Sequence, residues 1–334
     1  MGRFWLDFEP ILPILARLKM VEQPSVRPTL PMATLLAAFG PNLEIAKDLA
    51  PLTTYNTGGK ARFFVSVGDA SEIVKVISGA RRLGIPFFLI GGGSNLLVSD
   101  SGYEGLIVKI DVRGMELCSR TTINCGAGVE LMSLVDFATT NSLTGLEFAA
   151  GIWGSVGGAI CGNAGAFGGE MGSVISEVTL VSKDGEVKTV RRDYCQFEYR
   201  DSYLKKTVEV VVTAKFELVL GEKHAIQTRV DDILKHRSER HPVNSRTAGS
   251  FFKNVPDSSQ PHGKLAAGKL LEEAGAKGLS IGGAKVFDRH ANIIVNTGNA
   301  TTKDIRQLAD IMKQKVLDKF GIELEDEVVS VGEF

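Results

Sequence analysis

Long apolar runs are missing from this 334-residue sequence. No stretch approaches the roughly 20 residues that a membrane-spanning helix needs. An excess of charge of either sign is missing too. With 38 Lys and Arg against 39 Asp and Glu, bulk electrostatics give no pull toward nucleic acid or an anionic membrane. Cysteine is scarce: Cys118, Cys125, Cys161 and Cys195 form no CxxC and no Cys/His cluster. They read as reduced thiols of a cytosolic protein, with neither a disulfide frame nor a metal site. The common nucleotide and nucleophile fingerprints are absent as well. No GxGxxG opens a helix after a strand, no GxxxxGK[ST] occurs, and Trp153 stands where a GxSxG elbow needs its first glycine.

The N-terminal MGRFWLDFEPILPILARLKM carries Asp7 and Glu9 ahead of its apolar part and prolines within it, the wrong order for a signal peptide. Met20 and Met32 both stand as alternative starts, and residues 1–45 read as an extension outside the fold. The rest, at 44% apolar overall, is ample for a core and too long for one compact domain. A cytoplasmic protein of two or three domains is expected.

Glycine is abundant, with 37 residues in clusters. Around these clusters short apolar runs alternate with amphipathic stretches. RFFVSV (62–67), IPFFLI (85–90), GLIVKI (105–110) and TTINCGAG (121–128) read as strands. Residues 70–84 place Ile73, Ile77 and Ala80 on one helical face, and 129–143 has helical spacing again. VSKDGEVKTV, centred on Asp184-Gly185, predicts a hairpin. A charged helix over 225–240 marks a domain junction. Beyond it come a helix around 264–275, short strands near GAKVF and ANIIVN, and a helix from Thr302 to Phe320, opened by Thr301 or Thr302 before Asp304 and closed by Gly321. The class is α+β, with domains expected at 46–222 and 223–334.

Two glycine-rich segments carry the chemical signal. GGGSNLLVSD (91–100) follows an apolar strand and reads either as a wide turn or as a phosphate cradle, in which glycines turn backbone amides toward an anion and Ser94 and Asn95 add donors. The segment 145–172 has too little side chain for a conventional helix or sheet layer. It reads as a packed loop layer or as a wrapping for a flat or extended ligand. Two such loops in one domain favour a large ligand with a pyrophosphate.

TYNTGGKA, GGGSNLLVSD and GIWGSVGGAICGNAGAFGGE, in this order, resemble the FAD-binding domain of the UDP-N-acetylenolpyruvoylglucosamine reductase family, within the flavoprotein class of vanillyl-alcohol oxidase and p-cresol methylhydroxylase. The likeness continues through YRDS (199–202), AGSFFKN (248–254), AGKLLEEAGAKGLSIGGAKV (267–286), HANIIVN (290–296) and LEDEVVSVG (324–332), covering roughly residues 50 to 334. The resemblance implies an FAD-binding domain followed by a C-terminal α+β substrate domain. It also implies a cytoplasmic oxidoreductase of peptidoglycan precursor synthesis, in which NADPH reduces the flavin and an enolpyruvyl ether on UDP-N-acetylglucosamine then becomes a lactyl ether. Flavin contacts are implied for Tyr55, Asn56, Thr57, Gly91, Gly92, Gly93, Ser94, Asn95, Gly151, Gly154, Ser155, Gly157, Gly158, Asn163 and Gly165. Arg200 and Glu327 match the enolate-stabilising pair, and Ser250 the proton donor. Lys253, Asn254, His290 and Asn292 fall at the nucleotide-sugar.

Each catalytic candidate has an ordinary reading beside this one. Arg200 next to Asp201 looks like a surface ion pair, Glu327 ends an acidic run typical of a solvated face, and Ser250 could cap a turn. A nucleophilic role for Ser250 is weak, since TAGSFFKNV holds no His or Cys to act as its base. His290 reads equally as a core or surface histidine, and Tyr199 as packing. The chain departs from the family at two prolines, replaced by Trp153 and Arg246, and no tyrosine-bearing insertion lies between YRDS and AGSFF, as in the shorter subclass. Another flavin oxidase of this fold class would share the loops and lack AGSFFKN and LEDEV together. A non-catalytic FAD or nucleotide-sugar binding protein would have no use for Arg200, Ser250 and Glu327.

Overall fold

The computed structural model describes residues 30–334 apart from Val208, Val243, Asn244, Pro261 and His262. Its first sheet runs in the order Glu44–Asp48, Lys60–Val67, Tyr103–Ile110, Phe87–Ile90, with the last three strands parallel and the first antiparallel. Alternate residues of these strands enter different cores. Phe63, Val65, Leu106 and Val108 pack under helices, and Phe64, Ile107 and Ile90 pack on the other face. Burial on both faces explains why these strands read as near-continuous apolar runs.

Helix α1 (Met32–Phe39) buries Leu35, Ala38 and Phe39 in the same core as helix α2 (Ala70–Arg82). This corrects the expectation for residues 1–45: α1 and the strand Glu44–Asp48 are parts of the fold, and residues 1–29 lie outside the described residues. In α2, Asp69 caps the start by accepting from Glu72 N, and Val76 joins Ile73, Ile77 and Ala80 on the buried face.

The second sheet is antiparallel, in the order Val187–Arg191, Ile175–Val181, Val210–Glu217, Thr122–Gly126, Met115–Leu117. Its hairpin turns at Gly185 (φ +86°), where the Ser182 hydroxyl accepts from both Asp184 N and Glu186 N. Helices α3 (Leu131–Thr140) and α4 (Val156–Cys161) complete the first core. The short α4 lies inside the segment expected to form no helix. Val156 and Ile160 are fully buried there, and Ser155 caps it by accepting from Gly158 N. Two apolar anchors four residues apart are enough to seat one turn and a half against a finished core. Helix α5 (Lys223–Arg240), expected to open the C-terminal domain, packs Val230, Ile233 and Leu234 on the first core, and its Arg229 pairs with Glu147.

The second core gathers Phe251 and Phe252 with α6 (Ala267–Glu273), α7 (Thr302–Phe320) and the three-stranded sheet Ser280–Ile281, Ala284–Val286, Ile294–Asn296. Helix α7 has the expected ends, a Thr301/Asp304 capping box and Gly321 in the left-handed conformation. Its start is tied to the first domain, because Asp100 accepts from Thr302 N and Lys303 N, and Thr302 Oγ1 donates to Val98 O. The strand Val329–Val331 then pairs in parallel with Leu96–Val98, just beyond GGGSN. The two cores are therefore stapled along the strand that leaves the first glycine-rich loop.

Candidate active site

Three loops from the first domain form one layer of nearly bare backbone. Gly93 (φ +65°) lies so close to Leu52 that a Cβ would sit 1.8 Å from its carbonyl oxygen, and a Cβ on Gly92 would sit 2.8 Å from Gly154 Cα. Only glycine permits this approach. Ser94 Oγ donates to Trp153 O (2.8 Å), and Thr54 N donates to Gly93 O (3.1 Å), locking residues 53–58, 91–95 and 151–158 together. Trp153 thus keeps the loop tied where the family has proline, with its side chain exposed. Among the described residues, the amides of Gly92, Gly93 and Ser94 meet no protein acceptor, and the buried hydroxyls of Thr54 and Thr57 have no partner. Free amides and orphaned hydroxyls in a side-chain-poor layer suit a phosphate-bearing group such as FAD.

The other residues matched to the flavin are placed in different ways. Asn56 is exposed at φ +53° in this layer. The Tyr55 ring is wholly buried in the second core, and its carbonyl accepts from Asn296 Nδ2. Burial holds its phenol well above the usual range. Gly151 (φ +71°) packs beneath Leu234 and Arg237, Gly157 packs on Ala127, and Ser155 and Gly158 form the α4 cap. Buried Asn163 donates to Glu198 O and accepts from Gly172 N, and Gly165 O accepts from Arg200 Nη2 (2.9 Å). The bonds of Asn163 and Gly165 thus run to the loop that carries Arg200.

Arg200 sits at φ +55°, a conformation that costs a non-glycine residue about 1–3 kcal/mol and that gathers at functional sites. Its Nε lies 2.8 Å from Glu327 Oε1, and its guanidinium lies over the Tyr199 ring. Glu327 is bound on both sides of its peptide. Its N–H donates to Phe251 O (2.8 Å), one residue from Ser250, and its carbonyl accepts from Asn95 Nδ2 (2.9 Å). Burial pushes its carboxyl up, while Arg200 foremost, then Lys205 and Lys253, pull it back. Ser250 follows Gly249 (φ +77°) and bridges to Ile293, and its half-buried hydroxyl has no hydrogen-bond partner among the described residues. Glu327 is therefore folded against the AGSFF segment, while Glu323 and Glu325 of the same acidic run stay exposed.

Further cations surround the pair. Lys253 bonds through its backbone N–H to Glu325 O and through its ammonium to the Glu325 carboxylate. Lys205 donates to Arg200 O, and burial first of all lowers its ammonium. Lys264 lies 3.2 Å above the centre of the Tyr199 ring. Sequence reading missed Lys205, Lys264 and the stacking role of Tyr199. Lys205 stands five residues after Arg200 in a readable motif, whereas only the fold brings Lys264 to Tyr199.

Two residues matched to the nucleotide-sugar have other partners. Both ends of the buried Asn292 amide are engaged by Phe252, whose N–H it accepts and whose carbonyl it donates to. His290 faces the His241 ring at 5.4 Å and accepts from Asn292 N. Neither is bonded to the Arg200–Glu327 pair. Asn254 accepts from Ala267 N. Arg246 donates to Gly298 O.

The histidine pair has a consequence for stability. Burial, then His290, Arg237, His236 and Arg240, hold His241 down to about 4 from 6.5. The unfolded chain takes up this proton first as pH falls, so stability is whole above about 6.5 and declines toward about 4. The melting temperature is expected to fall on going from about pH 7 to about pH 5, and His241→Asn to flatten that fall. An identical slope in the variant would rule out His241 as its source.

The geometry can be set beside known proteins. The family model for the FAD binding domain matches residues 61–191, and that for the UDP-N-acetylenolpyruvoylglucosamine reductase C-terminal domain matches residues 241–331. The UDP-N-acetylenolpyruvoylglucosamine reductase of Caldanaerobacter subterraneus subsp. tengcongensis is 38% identical over 281 residues, 84% of this chain and 91% of that protein. The chain belongs to the UDP-N-acetylenolpyruvoylglucosamine reductase family. The reductase of Listeria monocytogenes is 37% identical over 87% of this chain and 95% of its own length. The crystal structure of the Thermus caldophilus reductase superposes with a TM-score of 0.72 at 30% identity, covering 87% of this chain and 98% of that one. The FAD binding domain match thus covers the loops at 91–95 and 151–158, and the C-terminal domain match covers Ser250 and Glu327. No helix among the described residues is long and apolar enough to cross a membrane.

Proposed function

We propose that this reductase converts the enolpyruvyl ether of UDP-N-acetylglucosamine to UDP-N-acetylmuramate at the expense of NADPH, in cytoplasmic synthesis of peptidoglycan precursors. The observation that carries this reading is the Arg200–Glu327 pair, bonded to the segment that bears Ser250, whose hydroxyl has no partner among the described residues, and to the glycine-rich FAD loop. When bound, FAD would supply two-electron chemistry between NADPH and the terminal carbon of the enol ether. Residues of the layer at 53–58, 91–94 and 151–158 would hold it.

The protein's own groups then have three tasks. Arg200, fixed by Gly165 O and Glu327, presents its remaining N–H groups to the substrate carboxylate, where negative charge develops as the double bond is reduced. Glu327 holds the Arg200 guanidinium in place through the 2.8 Å contact of its carboxylate with Nε. Ser250 delivers a proton to the middle carbon, and the transient alkoxide lies in the field of Lys253 and Lys205 until solvent returns the proton. Per turnover, one NADPH and one proton are consumed and one C=C bond becomes a C–C bond with two new C–H bonds. Lys205, Lys253 and Lys264 give the site the positive charge that a nucleotide diphosphate requires.

A first test is colour. The purified protein is expected to be yellow, or to become so with FAD, and to bleach on adding NADPH. A protein that gains no flavin absorbance with FAD would overturn the flavoenzyme reading.

A further inference from the structure

Asn95 belongs to the GGGSN loop, where the motif matches it to the flavin, yet both of its bonds run to the other domain. Its side-chain amide donates to Glu327 O at 2.9 Å, and its backbone carbonyl accepts from Val329 N at 3.0 Å. The two bonds bracket Val328, on the C-terminal side of Glu327. The second opens the parallel ladder in which Val329, Ser330 and Val331 pair with Leu96, Leu97 and Val98. On the opposite side, Glu327 N donates to Phe251 O, beside Ser250. Glu327 is therefore bonded through its carbonyl to the glycine-rich loop and through its N–H to the segment that bears Ser250.

We propose that Asn95 is a positioning residue for Glu327, coupling the seating of the phosphate-binding loop to the alignment of the Arg200–Glu327 pair with substrate. The inference rests on the function proposed above. Three features argue for it. The Asn95 donor points at protein and not into the layer of free amides. Glu327 has no other side-chain anchor on its carbonyl among the described residues. The Arg200–Glu327 contact joins two domains whose junction runs through residues 95–98. A rigid-body shift of the 91–95 loop is thus passed to Glu327 directly, without moving the core beneath it.

The test separates the two half-reactions of the FAD-loaded enzyme. In Asn95→Ala, FAD affinity and flavin reduction by NADPH are expected within about threefold of wild type. Reoxidation by the enolpyruvyl nucleotide is expected to slow by about tenfold or more, since small misplacement of a charged group is costly in rate. The pH profile of reoxidation should move upward as well, because a carboxyl that loses its alignment with Arg200 keeps its proton to higher pH. Asn95→Ser, with a donor too short to reach Glu327, should behave alike and covers the case in which the alanine variant fails to fold. Loss of FAD affinity with normal reoxidation by substrate would make Asn95 a cofactor ligand and overturn the proposal. So would an equal fall in both half-reactions with an unmoved pH profile. If wild type itself is not reoxidised by the enolpyruvyl nucleotide, the functional reading fails first, and the two failures are distinct.

Discussion

Ser250→Ala is expected to bind FAD and accept electrons from NADPH as wild type does, while reducing the enolpyruvyl substrate slower by several orders of magnitude. The hydroxyl is half-buried, follows a glycine in the left-handed conformation and has no hydrogen-bond partner among the described residues, so its removal disturbs little structure. Its ordinary acidity is far too low for a general acid at neutral pH, and two circumstances offset this. The carbon it protonates is strongly basic once charge has moved onto the enolate, and Lys253 and Lys205 place positive charge near the site. General-acid help of this kind contributes about 10²–10⁴-fold. Ser250→Cys, a stronger acid of similar size, should restore part of the rate. Stopped-flow measurement of each half-reaction decides the matter, and an equal fall in both would make Ser250 structural.

Arg200→Lys is expected to lose about 10²-fold or more in substrate reduction, and Glu327→Gln a comparable amount, with NADPH-dependent flavin reduction far less affected. The lysine substitution is not conservative here. The guanidinium bonds Glu327 through Nε and Gly165 O through Nη2 at once and still has donors left, whereas one ammonium cannot reproduce that fork. Glu327→Gln keeps the shape but removes the charge partner of Arg200. Because burial disfavours that charge, the variant should fold at least as well as wild type, and its loss should fall on kcat. A rise in KM alone, with kcat unchanged, would indicate that the pair only binds the carboxylate.

Much of this arrangement was legible in the sequence, for identifiable reasons. The strands of the first sheet and the faces of α2 and α7 follow from periodicity and caps, since Asp69, Thr301, Asp304 and Gly321 act locally. Where tertiary contacts decide, sequence alone falls short. Helix α1 looked like part of an extension because Leu35, Ala38 and Phe39 find their partners only in distant α2 and the first sheet. Helix α4 was hidden by glycines, since Val156 and Ile160 alone anchor it. The charged surface of α5 suggested a new domain, although its two buried residues, Ile226 and Val230, sit against the old one. At the site, motif matching brought Arg200 and Glu327 into one reading, and the fold places them 2.8 Å apart across 127 residues of chain. It did not separate ligand contacts from scaffolding. Asn163 and Asn292 have buried amides that serve backbone partners, and a sequence motif records that both residues matter without recording why.

The central claim is that one site passes electrons from NADPH through bound FAD to an enolpyruvyl ether and supplies the proton from protein. Anaerobic titration of the FAD-loaded enzyme, first with NADPH and then with the enolpyruvyl derivative of UDP-N-acetylglucosamine, tests it most directly. The flavin should bleach with one equivalent of NADPH and recover its colour with one equivalent of the nucleotide, yielding UDP-N-acetylmuramate. A flavin that bleaches and stays bleached until oxygen is admitted would contradict the account.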